Sequence, residues 1–151
     1  MKIRDNAGPV PLRKDRSTTA GPARATTGLF SLFSSELKTK QAATDLYDQD
    51  IETLRQEIDT AGQLLEREPT LPNFKRFREL LSRLSKRVSS EAYRLEKIGG
   101  TPMNPRYFEI ITVIDKEADK LYQLIINEQK DRLAITAAVI GIKGLVVDLV
   151  T

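Results

Sequence analysis

Four arginines carry the strongest chemical signal in this sequence. Arg76, Arg83, Arg87 and Arg94 lie in "NFKRFRELLSRLSKRVSSEAYRLEK" at spacings of 7, 4 and 7, which puts them on one flank of a helix. Such a stripe of guanidinium groups can follow a phosphate backbone or grip an acidic partner. Its sequence context favours the second use. No nucleic-acid motif accompanies the stripe, and few aromatics are available for stacking on bases. Residues 35–69 hold nine acids against four bases, and residues 72–98 hold eight bases against three acids. A segment of net −5 thus precedes one of net +5. We expect the arginines to face the acidic neighbour or a protein partner, with nucleic-acid binding as the alternative.

Other chemistry is poorly supplied. The chain has no Cys and no His, so its hydroxyls lack an activating imidazole, and no thiolate or imidazole metal site can form. Asp45, Asp48, Asp50 and Glu52 in "DLYDQDIE" have the density of a cation site. They lack the glycine that turns a calcium loop, and the segment reads as helix, so a solvated acidic face is expected. Gly99-Gly100 follows no strand and has no G-K-[ST] after it, so it does not read as a phosphate loop. The expectation is no enzyme activity, no cofactor and no metal. The absence of disulfides fits a reducing compartment, and "MKIRDNAGPVPLRKDR" has no apolar stretch of a secretory signal. Both point to the cytoplasm.

Three apolar stripes must position these groups. Tyr47, Ile51, Leu54, Ile58, Ala61 and Leu65 recur at 4-3-4-3-4. Phe74, Phe77, Leu81, Leu84 and Val88 recur at 3-4-3-4, and Leu95 and Ile98 resume that stripe after Glu91. Tyr107, Ile111, Ile114, Ala118, Leu121 and Ile125 again recur at 4-3-4-3-4. Each stripe is one face of a helix. "EREPTLPN" and "IGGTPMNP" separate the stripes with prolines and glycines, and in the second Asn104 is placed to cap a helix beginning at Pro105. Connections this short make successive helices antiparallel. The expected fold is all-α, an antiparallel bundle of three to four long helices over residues 35–151, with Ser34 or Ser35 capping a helix that starts at about residue 36.

Residues 1–34 stand apart. They carry six bases against two acids, so the remaining 117 residues sum to −1 although the whole chain is +3. Gly8, Pro9, Pro11, Gly21, Pro22 and Gly28 interrupt a stretch with no hydrophobic period, and residues 1–28 are expected to be disordered. "GLFSLFSSELKTKQ" then supplies Leu29, Phe30, Leu32, Phe33 and Leu37, as a docking segment or the first turns of a helix.

The ending, "AITAAVIGIKGLVVDLVT", is the most apolar stretch. Ile126 and Leu133 are seven residues apart, Ala137, Ile140 and Gly144 follow at helical spacing, and no Gly or Pro interrupts 127–132. One helix over 105–149 would run about 68 Å at about 1.5 Å per residue and overhang its neighbours. Three outcomes are open. The polar knot at 127–131 can bend the chain and lay a fourth helix on the bundle, the overhang can bury itself in a second copy, or it can enter a membrane. The last is disfavoured, because a span needs about 20 apolar residues and this stretch carries Lys143 and Asp148. Glycine weakens a helix interior, so Gly141 and Gly144 are expected at a close helix–helix contact, with Gly62 in "IDTAGQLL" as its counterpart.

These elements together resemble a known family. "IDTAGQLL", "REPTLPNFKRFRELLSRLSKRV", "YFEIITVIDKEADKLYQLI" and "IGIKGLVVDLVT" are similar to the YaaR-like family of small bacterial proteins, a domain of unknown function, over roughly residues 50–151. The most specific element is "IKGL" with its apolar ending, followed by ID-x-x-G-x-x-L on Ile58, Asp59, Gly62 and Leu65. The family has a more basic linker where this chain has "GGTPMNPR". The resemblance implies a helical protein of the bacterial cytoplasm and brings no activity with it. The functional expectation is a non-enzymatic interaction or scaffolding module with an unidentified protein partner.

Overall fold

A computed structural model describes residues 12–102 and 104–151, with side chains from residue 30 onward. Four helices account for most of these residues: α1 (Leu12–Arg67), α2 (Leu71–Lys97), α3 (Tyr107–Ile126) and α4 (Arg132–Val150). No strand occurs among the described residues. The chain is all-α, as its periodicity requires, and it divides into two compact units between Asp45 and Leu46.

Among the described residues the first unit holds only residues 12–45, within the bounds of helix α1. The expected disorder of residues 1–28 falls partly on residues 1–11, which lie outside the described residues, and partly within the bounds of α1. Ser34 and Ser35 do not start a helix. The Thr39 hydroxyl donates to the Ser35 carbonyl at 3.0 Å, a contact of the helix interior, and Thr44 repeats it with Lys40 at 3.1 Å. "LFSLFSSELKTKQ" has no Gly or Pro to stop a helix there. The second unit begins later than the expected boundary at 34/35, because the first buried side chain among the described residues is Tyr47.

In the second unit the helices run antiparallel, each connection closed by local hydrogen bonds. Between α1 and α2, the Thr70 hydroxyl accepts from the Asn73 amide, and a proline occupies the first turn. After α2, Gly99 takes a φ of +80°, which L side chains rarely adopt. Its amide donates to Glu96 O at 3.1 Å and that of Gly100 to Leu95 O at 2.7 Å, the paired bonds of a Schellman stop. Asn104 does less than expected for α3. Its Oδ1 accepts from the Arg106 amide at 2.9 Å in a turn, and the helix begins two residues later, at Tyr107.

The polar knot decides the fate of the C-terminal segment. Asn127 Oδ1 accepts from the Gln129 amide at 3.0 Å, and Asp131 Oδ1 caps α4 by accepting from Ala134 at 3.1 Å. These bonds end α3 and restart α4, so 105–149 is two helices. Ile135, Val139, Ile142, Val146 and Leu149 face the core, at positions that carry on the 4-3 spacing of the α3 stripe from Ile125, whereas Ala137, Ile140 and Gly144, expected on the apolar face, lie exposed.

The core draws Ile58 and Leu65 from α1, Phe77 and Leu84 from α2, Ile114 and Leu121 from α3, and Ile142 and Leu149 from α4, all essentially solvent-free. Each such side chain contributes about 1.5–3 kcal/mol on burial. Leu80 and Ala92 widen the α2 stripe beyond its expected members, and Ile98 lies outside it, half exposed.

Candidate functional site

The α2 stripe is already occupied by carboxylates. Arg76 Nη1 lies 3.2 Å from Glu79 Oε1, and Arg83 Nη2 lies 3.5 Å from Glu79 Oε2. Arg94 forms a two-pronged pair with Glu91, both bonds 2.9 Å. Arg87 alone reaches the acidic helix, with Nε 3.0 Å from Asp50 Oδ2. Its Nη1 also lies 4.0 Å from Glu91. The expected pairing across helices therefore holds for one arginine of four, and the other three use carboxylates three or four residues away on their own helix. Arg78, outside the stripe, crosses to α3 and meets Asp119 at 2.6 Å.

Glu91 makes this cluster more than a solvated surface. It is the buried charged residue of the described core, set on the apolar side of α2 against α1. The Arg94 hydrogen bonds hold its carboxyl below the ordinary range, opposed by burial and helped by Arg94 and Arg87 charge. Arg87 spans the seam, its guanidinium carbon 5.0 Å from the centroid of the buried Tyr47 ring. Burial raises the Tyr47 hydroxyl above its usual value, with Glu91 adding to the effect and Arg87 opposing it. The arrangement joins α1 to α2 and pairs the charges of Arg87, Glu91 and Arg94.

A second polar seam joins α1 to α4. Lys143 Nζ lies 3.1 Å from Asp59 Oδ1 and 3.6 Å from Glu66 Oε2. Its side chain crosses Gly62, where an added Cβ would meet Lys143 Cε at 2.5 Å and Val139 Cγ1 at 3.1 Å. A side chain at Gly62 would thus displace Lys143 or Val139. Gly141 and Gly144 are not its counterparts, because both face outward and a Cβ on either would meet nothing within 4 Å. The counterparts are Val139 and Lys143. At the same seam Arg132 Nη2 donates to Arg67 O at 3.0 Å.

The acidic run does not assemble into a site. Asp50 is taken by Arg87 and Glu52 by Arg55, and no group of three or more candidate metal ligands forms among the described residues. What remains is apolar surface. On α1 in the first unit, Phe30, Leu32, Phe33 and Leu37 are each more than half exposed. On α4, Leu133, Ile140 and Val147 are exposed at 84%, 58% and 47%. By length and composition α4 could cross a membrane, yet five of its side chains are buried in the bundle. The sequence reading missed Glu91, Lys143 and this outer face.

The sequence model of a family described as "Protein of unknown function (DUF327)" matches residues 12–150. No curated protein matches the chain. The crystal structure of an uncharacterised protein from Bacillus halodurans is similar, with a TM-score of 0.66 and 23% identity over 78% of this chain and 97% of that one. At that identity the likeness concerns the fold.

Proposed function

We propose that this chain, which belongs to the DUF327 family of proteins of unknown function, works by docking onto another protein in the bacterial cytoplasm and catalyses nothing itself. The resemblance to YaaR-like proteins is to this same family. One observation carries the reading. Phe30, Phe33 and Leu37 are exposed at positions i, i+3 and i+7 of helix α1, and none of the described side chains of their unit, residues 30–45, is buried. Such a stripe is the anchor pattern of a helix that lies in an apolar groove of its partner. Large exposed side chains that contribute nothing to their own core are otherwise a liability in water. The polar clusters support the same reading, since their charges are spent on holding helices together.

Affinity purification of the full chain from its host, beside a Phe30→Glu/Phe33→Glu variant, tests the proposal. The expected result is a partner recovered with the first and lost with the second, at unchanged melting temperature. Equal recovery by both would remove the docking segment from the function.

A further inference from the structure

We infer that the outer face of α2 is a second docking surface, which takes an acidic helix of a partner protein. Its carriers are Lys75, Lys86 and Lys97, the lysines of this helix, at intervals of eleven residues. Eleven residues make three turns and about 20° more, at about 3.6 residues per turn, so the three stand nearly in line. They lie about 16.5 Å apart and span about 33 Å, at about 1.5 Å per residue. All three are exposed.

The division of labour between the two basic residue types is the first reason. Every arginine of α2 has a carboxylate: Arg76 and Arg83 share Glu79, Arg78 has Asp119, Arg87 has Asp50 and Arg94 has Glu91. None of the three lysines makes an ion pair among the described residues. The bundle thus uses the arginines of this helix and leaves its lysines over. Lysines that served solubility alone would need no common side of the helix, whereas these share one.

The surface between the lysines is the second reason. Lys75 and Lys86 line one shallow groove with Ser82, whose small side chain leaves its middle open. Tyr93 falls in the same line, eighteen residues or about five turns after Lys75. It is 61% exposed, and Lys97 Nζ lies 5.0 Å from its ring centroid. An exposed tyrosine is a common anchor in protein interfaces. Complementary charge selects the partner and its register. A helix laid along α2 repeats at the same rise, so its carboxylates can meet all three lysines. A nucleic-acid duplex would cross a straight helix obliquely, and its closely spaced phosphates would also meet Glu79, which is exposed on this side.

NMR titration of the full, isotope-labelled chain at low salt tests the surface. The probe is an alanine-based helical peptide with glutamates repeated on one side at the spacing of the lysines. A peptide of the same composition, its glutamates scattered round the helix, is the control. The aligned peptide should shift the α2 amides around the three lysines. It should bind about tenfold tighter than the control, since each exposed pair is modest and several act together. Lys75→Gln/Lys86→Gln/Lys97→Gln should lose that preference at an unchanged melting temperature, because the lysines pair with nothing in the fold. Phe30→Glu/Phe33→Glu should keep it, so this surface and the α1 docking segment stand or fall separately. Equal binding of the two peptides, or binding of neither, overturns the proposal. Duplex DNA that binds tighter than the aligned peptide, and is lost in the triple variant, assigns the face to nucleic acid and overturns it equally.

Discussion

Lys143 lies across Gly62, so that a Cβ added to the glycine would stand 2.5 Å from Lys143 Cε and 3.2 Å from its Nζ. The contact unites the two most specific elements of the family resemblance, since Gly62 belongs to ID-x-x-G-x-x-L and Lys143 to "IKGL". Each position of the first element has a physical task. Ile58 and Leu65 enter the core, Asp59 takes the lysine, and Gly62 leaves room for it.

Substitution of Gly62 should show that shape. Gly62→Leu is expected to destabilise by about 1–3 kcal/mol, the range for overpacking, because Val139 cannot retreat as a lysine stem can. Gly141→Ala, in open space, should instead gain up to about 1 kcal/mol from helix propensity. Urea denaturation of both variants checks the contrast, and similar effects at the two glycines would refute the seam.

Lys143 acts through its stem as well as its charge. Lys143→Met keeps most of the packing and should cost about 0.2–1 kcal/mol, the range for an ion pair with an exposed partner. Lys143→Ala removes the stem too and should cost distinctly more in thermal melts.

The Glu91 pair predicts a pH dependence. Its folded carboxyl titrates below its unfolded value, so its contribution is present above the ordinary carboxylate value of 4.5 and is lost as pH falls through the depressed folded value. Glu91→Gln should cost about 1–3 kcal/mol at pH 7, the range for a disturbed buried charge partner. That difference should close as the pH falls below 4.5. On the alkaline side, the raised Tyr47 value makes its contribution fade above pH 10, a loss that Tyr47→Phe should abolish. Denaturation midpoints across pH decide both points.

Nucleic-acid binding is the outcome disfavoured by the spent arginines. Mixed-sequence duplex DNA should bind negligibly even at about 50 mM salt. Were the four arginines gripping phosphates, the log–log salt slope would be about −3.6, at about −0.9 per contact. A salt-sensitive complex lost on changing all four to Gln would reverse the assignment.

Much of this was legible from local pattern. The 3.6-residue period marked the core faces of α1, α2 and α3, and proline and glycine marked two of the three breaks. The partners of Arg76, Arg83 and Arg94 were legible too, because Glu79 and Glu91 sit three or four residues away. The face of α4 was lost by counting on from Ile126 and Leu133, whereas the 4-3 spacing carried on from Ile125 leads through 128 and 132 to Ile135, Val139, Ile142, Val146 and Leu149. Asn127 and Asp131, both suited to turns and caps, were the signal of the break between α3 and α4. Lys143 was out of reach, because its partners are fixed by how α4 lies against α1.

The α1–α4 seam also bears on the order of folding. The turns at 68–70, 98–106 and 127–131 join neighbouring helices, whose contacts form at little loop-closure cost. The seam joins the first and last helices, so its contacts reward the chain only after the intervening loops are closed. Changes at Gly62 or Lys143 should therefore appear mainly as faster unfolding, with refolding rates little altered. The lysine laid over the glycine acts as a latch on the finished bundle.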